Sequence, residues 1–266
     1  DGGGRRVSNL VEAIQVELLK ARRSRVPLFT ALALAMAPLA GGFFMIVMKD
    51  PEVAQRMGMI SAKAQLVRGS ADWPTYMGLL AQAVAIGGFM VFSIIASWVF
   101  GREHSDRTFK DLLALPTPRT TIVLAKFVVC VVWGVLLALL VYGLGLVVGV
   151  LVGLPPVPAM VILQGSLTVA GAALLAMLLI TPVAFFAGVG RGYLAPMGIA
   201  IFFVVLAQVV AAAGWGEYFP WAIPALYAGM AGPEDTQMGM ISYGLVVATA
   251  AIGVAGTLWW WERADH

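Results

Sequence analysis

The sequence predicts an all-α polytopic membrane protein with six transmembrane helices. Three observations carry that expectation. The residues are 61% hydrophobic and 12% charged. Mean hydropathy is +0.91. The apolar residues also come in runs of about 20 or more, the length needed to cross about 30 Å of hydrocarbon. Nothing from Trp73 to Gly101 or from Phe127 to Gly190 is charged. The net charge of +3 does not mark a nucleic-acid binder, because the basic residues sit in short segments beside apolar spans, where they set topology. Cys130 is the only cysteine, which excludes a disulfide framework and a thiolate metal cluster.

Residues 1–26 read as a cytoplasmic amphipathic connecting helix followed by a basic collar. Over Asn9–Arg25, Val7, Leu10 or Val11, Ile14 and Leu18 recur at helical spacing, with Glu12, Gln15, Glu17 and Lys20 on other faces. Arg22, Arg23 and Arg25 then suit anionic headgroups. Residues 27–261 form one transmembrane domain. Its spans are expected at Pro27–Met48, Tyr76–Phe100, Thr120–Val152, Ala159–Ala187, Tyr193–Ala213 and Met240–Trp261. The third is over-long, so its first turns are expected to stand clear of the hydrocarbon. Pro38 and Pro182 fall inside spans and are expected to kink them. Gly145, Gly149 and Gly153 form a row of small residues that permits close helix approach.

Two loops are expected on the outer side. Lys49–Pro74 is polar, with a short helix around Val53–Val67. Residues 215–233 contain the uncharged run Tyr218–Gly232, broken by Pro220 and Pro224 and too short to span. This segment either dips into the outer leaflet and returns, or lies at the interface anchored by Trp215, Tyr218, Trp221 and Tyr227. Residues 262–266 are a cytoplasmic tail. The inner segments hold most of the Lys and Arg, while the outer ones hold only Lys49, Arg56, Lys63 and Arg68. That asymmetry places both termini in the cytoplasm.

Between the second and third spans, Gly101–Lys126 mixes both charge signs and must return the chain to water. Within it, residues of about 102–116 read as a short amphipathic helix. Ser105 or Asp106 is its cap, Phe109, Leu112 and Leu113 are its apolar residues, and Arg107, Lys110 and Asp111 lie on other faces. Pro116 stops it, and Thr117 with Pro118 makes an N-cap and first-turn pair for the next helix. A short helix held between two spans on the basic side reads as a docking element.

Through Glu103, Thr108, Lys110, Leu112, Leu113, Pro116, Arg119 and Lys126, this stretch resembles the signature that follows the second span in ABC-2-type transporter permeases. The bacitracin-resistance and lantibiotic-immunity branch is the most similar. The resemblance implies a coupling helix that inserts into a groove on a separately encoded cytosolic ATPase, present in two copies and carrying the ATP and Mg. This chain would hold no cofactor. A second permease chain, identical or different, would complete the pathway in the inner (plasma) membrane. The substrate would be an amphipathic peptide antibiotic, drug or lipid, exported from the membrane. Phe109, Leu112 and Leu113 would be the apolar plug, Glu103, Arg107, Lys110 and Arg119 would orient it by charge, and Pro116 would stiffen the link. Resembling permeases often carry a re-entrant helix before the last span, which implies an outer gate at Tyr218, Trp221, Pro224 and Tyr227.

The remaining constellations narrow the function class. No Asp, Glu, Lys or Arg is expected deep in a span, so ion coupling has nowhere dry to act and the driving energy must come from a partner. No G-x-x-x-x-G-K-[ST] occurs. The histidines are His104 and His266, and no span offers Ser93, Ser97, Ser166 or Ser242 a His or Lys as base. An intramembrane protease is therefore not expected. A non-transporting scaffold or channel subunit is the alternative of a different class. Gln82, Gln164 and Gln208 either line a pathway or bond across helices. Met45, Met48, Met57, Met59, Met230, Met238 and Met240 gather toward the outer side. Thioethers suit Cu(I), which leaves copper or small-solute export open beside ordinary apolar packing.

Overall fold

The computed structural model describes residues 2–49, 70–106, 108, 117–230 and 238–263. The helix expected around Val53–Val67 lies outside them. So do Arg107, Phe109, Lys110, Leu112, Leu113 and Pro116 of the coupling stretch. Among the described residues the regular structure is helical throughout, and six helical stretches are long and apolar enough to cross a membrane.

Helix α1 (Gly2–Arg22) precedes the spans and packs along the start of α5. A turn closed by the Ser24 hydroxyl, which donates to the Ala21 carbonyl, leads into the first span, α2 (Val26–Lys49). This helix runs through Pro38 without a break. The second span is built from α3 (Trp73–Ala83), a five-residue π turn (Val84–Gly88) and α4 (Phe89–Ser105). The third span is α5 (Arg119–Leu151). The fourth is α6 (Ala159–Leu178) and α7 (Ile180–Val189), and the fifth is α8 (Leu194–Ala212). Two 3-10 turns (Gly216–Tyr218 and Pro220–Ala222) and the short α9 (Ile223–Tyr227) precede the sixth span, α10 (Met240–Arg263).

Local chemistry explains the boundaries. Asp72 caps α3 by accepting from the Thr75 amide at 3.0 Å, and Pro74 occupies a first-turn position where no amide is needed. The fourth span breaks at Leu179, three residues before Pro182. The proline ring cannot share space with the carbonyl four residues back, that of Leu178. The Thr181 hydroxyl lies 3.1 Å from that carbonyl and 3.0 Å from the Ala250 carbonyl of α10, so the break is also a helix–helix joint. Two boundaries differ from expectation. Helix α4 continues past the expected end at Phe100 through Ser105, with the Arg102–Asp106 ion pair at 3.0 Å across its last turn. Pro118 is the N-cap of α5 rather than its first residue, because its carbonyl accepts from Thr121 at 3.0 Å.

The second span is the most buried of the six and the fifth the least. Tyr76, Leu80, Val84, Phe92, Ile95 and Phe100 form the axis of the core. Two of the three glycines in the predicted row receive it. A Cβ at Gly145 would stand 2.5 Å from Leu80, and one at Gly149 would stand 2.5 Å from Trp73. The row therefore serves packing within the chain. The Tyr76 hydroxyl donates to the Pro38 carbonyl at 3.0 Å and fastens α2 to the same axis. At the other side of the bundle, α10 lies against α7.

Candidate functional sites along the second span

At the C-terminal end of α4, four charges from three helices meet, three of them buried. Lys126, two turns into α5, is fully buried. Its ammonium donates to Glu103 at 2.7 Å, to the Val99 carbonyl at 2.7 Å and to Glu17 of α1 at 3.3 Å. These three acceptors match its three protons. Lys20 closes the ring, reaching Glu17 at 2.6 Å and Glu103 at 3.1 Å. Burial works against the Lys20 ammonium, but Glu17 and Glu103 together outweigh it and hold its pKa above the ordinary 10.5. The rings of Phe100 and Trp261 lie 6.0 Å from the Lys126 nitrogen. Glu103 keeps one carboxylate oxygen buried and without a hydrogen-bond partner among the described residues.

Lys126 stands in the first turns of the over-long third span, the part expected to lie clear of the hydrocarbon. The cluster corrects one expectation: Glu17 is on the packed face of α1, beside Ile14, Leu18 and Ala21, and is 7% exposed. The cause is Lys126, which faces it from a position 109 residues away in sequence. Glu103, expected among the coupling residues, points inward and is 3% exposed. Arg119 donates to the carbonyls of Trp261 at 3.2 Å and Glu262 at 3.1 Å, a cation at the C-terminal end of α10. Sequence reasoning missed Lys20 and the pairing of Lys126. The available signals were the Glu17–Lys20 spacing and one lysine set at the entrance of a long apolar run.

The second candidate is a cavity of about 300 Å³ between the π turn, the start of α4, the break at Leu179, α8 and the segment after α8. Its wall includes Ala85, Ile86, Phe89, Leu179, Ala207 and Trp221, with Gln208 as the amide among them. A pocket of this size with few polar groups suits an apolar group rather than a charged one. The segment after α8 is folded down onto the bundle: Ala222, Ile223 and Pro224 are buried. Trp221 stacks on Phe203 of α8 with ring centroids 3.8 Å apart. Gly214 (φ 82°) ends α8 and Gly229 (φ 79°) ends α9, each in the left-handed conformation that closes a helix C-terminus.

The four residues expected at the gate divide. Trp221, Pro224 and Tyr227 face inward, whereas Tyr218 is 52% exposed, near the exposed Trp215. Tyr227 fills the space over Gly171 of α6 and meets Tyr243 edge-on at 6.4 Å. The glutamines divide as well. Gln82 donates to the Ala228 carbonyl at 3.3 Å and so ties α3 to the segment, while Gln164 and Gln208 are exposed on their helices. Of the methionines expected toward the outer side, Met45 is fully buried in the core and Met230 and Met240 are exposed, while Met57 and Met59 lie outside the described residues. Among the described residues no group of three or more His, Cys, Asp or Glu could hold a metal ion.

A family model described as an ABC-2 family transporter protein matches residues 13–207. That range contains the whole ionic cluster and, of the cavity wall, the π turn, Phe89, Leu179 and part of α8. The chain is also similar to the bacitracin transport permease protein of Bacillus licheniformis, with 25% identity over 186 residues that cover 68% of this chain and 87% of the relative.

Proposed function

The chain belongs to the ABC-2 transporter family, and from that premise we propose that it forms the membrane pathway of an ATP-driven exporter for an amphipathic compound. A permease of this family is the membrane component of a transporter and is not itself catalytic. The energy comes from two copies of a separate cytosolic ATPase, and a second permease chain, identical or different, faces this one. The substrate is a peptide antibiotic, a drug or a lipid that enters from the plasma membrane. The relative named for bacitracin transport supports the peptide-antibiotic class.

The observation that carries the substrate class is the cavity of about 300 Å³, apolar except for an amide and an indole. It suits the apolar part of an amphiphile, with Gln208 available to its polar part. Trp221, Pro224 and Tyr227 form the outer gate over it. On the inner side, Phe109, Leu112 and Leu113 dock in the ATPase groove. Arg107, Lys110 and Arg119 orient the contact, and Pro116 stiffens the link into the third span. Closure of the ATPases on ATP then shifts this link and opens the pathway between the two permeases.

The test is ATP hydrolysis by the chain co-expressed with the ATPase encoded beside it, in lipid nanodiscs, over a panel of amphipathic peptides and drugs. The expected result is a stable complex whose hydrolysis one ligand class stimulates. Leu113→Asp should leave the permease inserted and folded while abolishing co-purification of the ATPase. Absence of any ATPase from the wild-type complex would return the chain to the scaffold or channel class.

A further inference from the structure

We propose that Lys126 is a positioning residue that clamps α1 to the inner end of the second span, so that α1 and the coupling stretch move as one body. Three helices meet at its ammonium: α1 through Glu17, α4 through Glu103 and Val99, and α5, which carries it. Lys20 bridges the two carboxylates a second time. Glu103 has a second attachment, since its carbonyl accepts from the Thr108 amide at 3.0 Å. The chain therefore leaves for the coupling stretch directly from the clamp.

Stability alone does not account for this arrangement. Burying each ion costs several kcal/mol, and replacing a buried pair by well-packed apolar residues is often neutral or stabilising. Here one Glu103 oxygen is also buried and without a partner among the described residues, a further cost. What the ions supply is direction. Each lysine proton must point at a specific oxygen, so the three helices hold one relative placement, whereas an apolar contact tolerates sliding. The remaining face of α1 is turned away from the bundle and carries exposed Val11, Val16 and Leu19. A force on α1 thus reaches α5 through the same joint as a force on the coupling stretch.

The consequence for transport rests on the permease reading, whereas the clamp itself does not. The test uses the full chain with its ATPase in nanodiscs and the triple variant Lys126→Met, Glu17→Gln and Glu103→Gln, which removes the three buried charges together and leaves only that of the part-exposed Lys20. Spin labels at Leu19→Cys and Ser105→Cys, both exposed positions, report the placement of α1 against α4. The wild type is expected to give one narrow distance and the triple variant a broad distribution. The thermal midpoint should hold, and the ratio of ligand-stimulated to basal hydrolysis should fall at least about fivefold, the lower end of ordinary coupling between linked sites. The exchange of Lys126→Glu and Lys20→Glu with Glu103→Lys and Glu17→Lys should narrow the distance again. A triple variant with a narrow distance, or with full stimulation, would overturn the proposal. If no ATPase joins the wild type, the transport reading fails and the label distances alone decide the clamp.

Discussion

At Asp72 one carboxylate starts the most buried span of the molecule. Burial alone would raise its pKa, but hydrogen bonds from Ser70 and Thr75 outweigh burial and hold it below the ordinary 3.8. A depressed folded-state pKa means that the cap contributes stability above pH 3.8 and loses it as pH falls through the lower folded value. Asp72→Ala should therefore cost about 1 kcal/mol near neutrality, read as a lower thermal midpoint in detergent. The difference from wild type should close in acid. Ala207, 6% exposed on the cavity wall, offers a different readout. Ala207→Phe should fill the cavity and weaken the stimulating ligand about tenfold, equal to about 1.4 kcal/mol, measured as a shifted half-maximal concentration for ATPase stimulation. At this scale the sequence was partly legible. Pro182 announced the break at Leu179 because its effect is local, reaching four residues back. Glu17 was misplaced because its partners, Glu103 and Lys126, are remote in sequence, and periodicity within one helix cannot register a charge satisfied from elsewhere.

Helix boundaries were legible because a bilayer demands long apolar runs, and each of the six runs became a helix within a few residues of its expected ends. Which helix faces touch was much less so. The glycine row of α5 permitted an approach without naming the partner, and its partners proved to be Leu80 and Trp73. Gly253 makes the corresponding approach of α10 to α7, and no expectation singled it out. A Cβ there would stand 2.5 Å from the Pro182 nitrogen and 2.5 Å from the Thr181 hydroxyl. The first of these is backbone, which cannot rotate away. Gly253→Val should push α10 off α7, cost about 1–3 kcal/mol and break the Thr181 contact with Ala250. The expected outcome is a lower thermal midpoint with loss of monodispersity in size-exclusion chromatography. An unchanged midpoint would mean that the two helices are not held at this distance.

For the molecule as a whole, the open element is direction across the membrane, which neither helix packing nor hydropathy specifies. The sequence argument is electrostatic: Lys and Arg concentrate in α1, the collar after it and the stretch between the second and third spans, and such segments stay cytoplasmic. The ionic cluster lies at that same end, so the proposed clamp and the proposed ATPase contact share one side, with the cavity cover on the other. Chemistry makes this testable, because Cys130 is the only native cysteine and is buried. Single cysteines at Pro156, Ala213 and Ser105 are all exposed. In intact cells a membrane-impermeant maleimide should label Pro156→Cys and Ala213→Cys and spare Ser105→Cys until the membrane is opened. The reverse pattern would turn the molecule over: α1 and the coupling stretch would face away from any cytosolic ATPase, and the transport reading would fall with them.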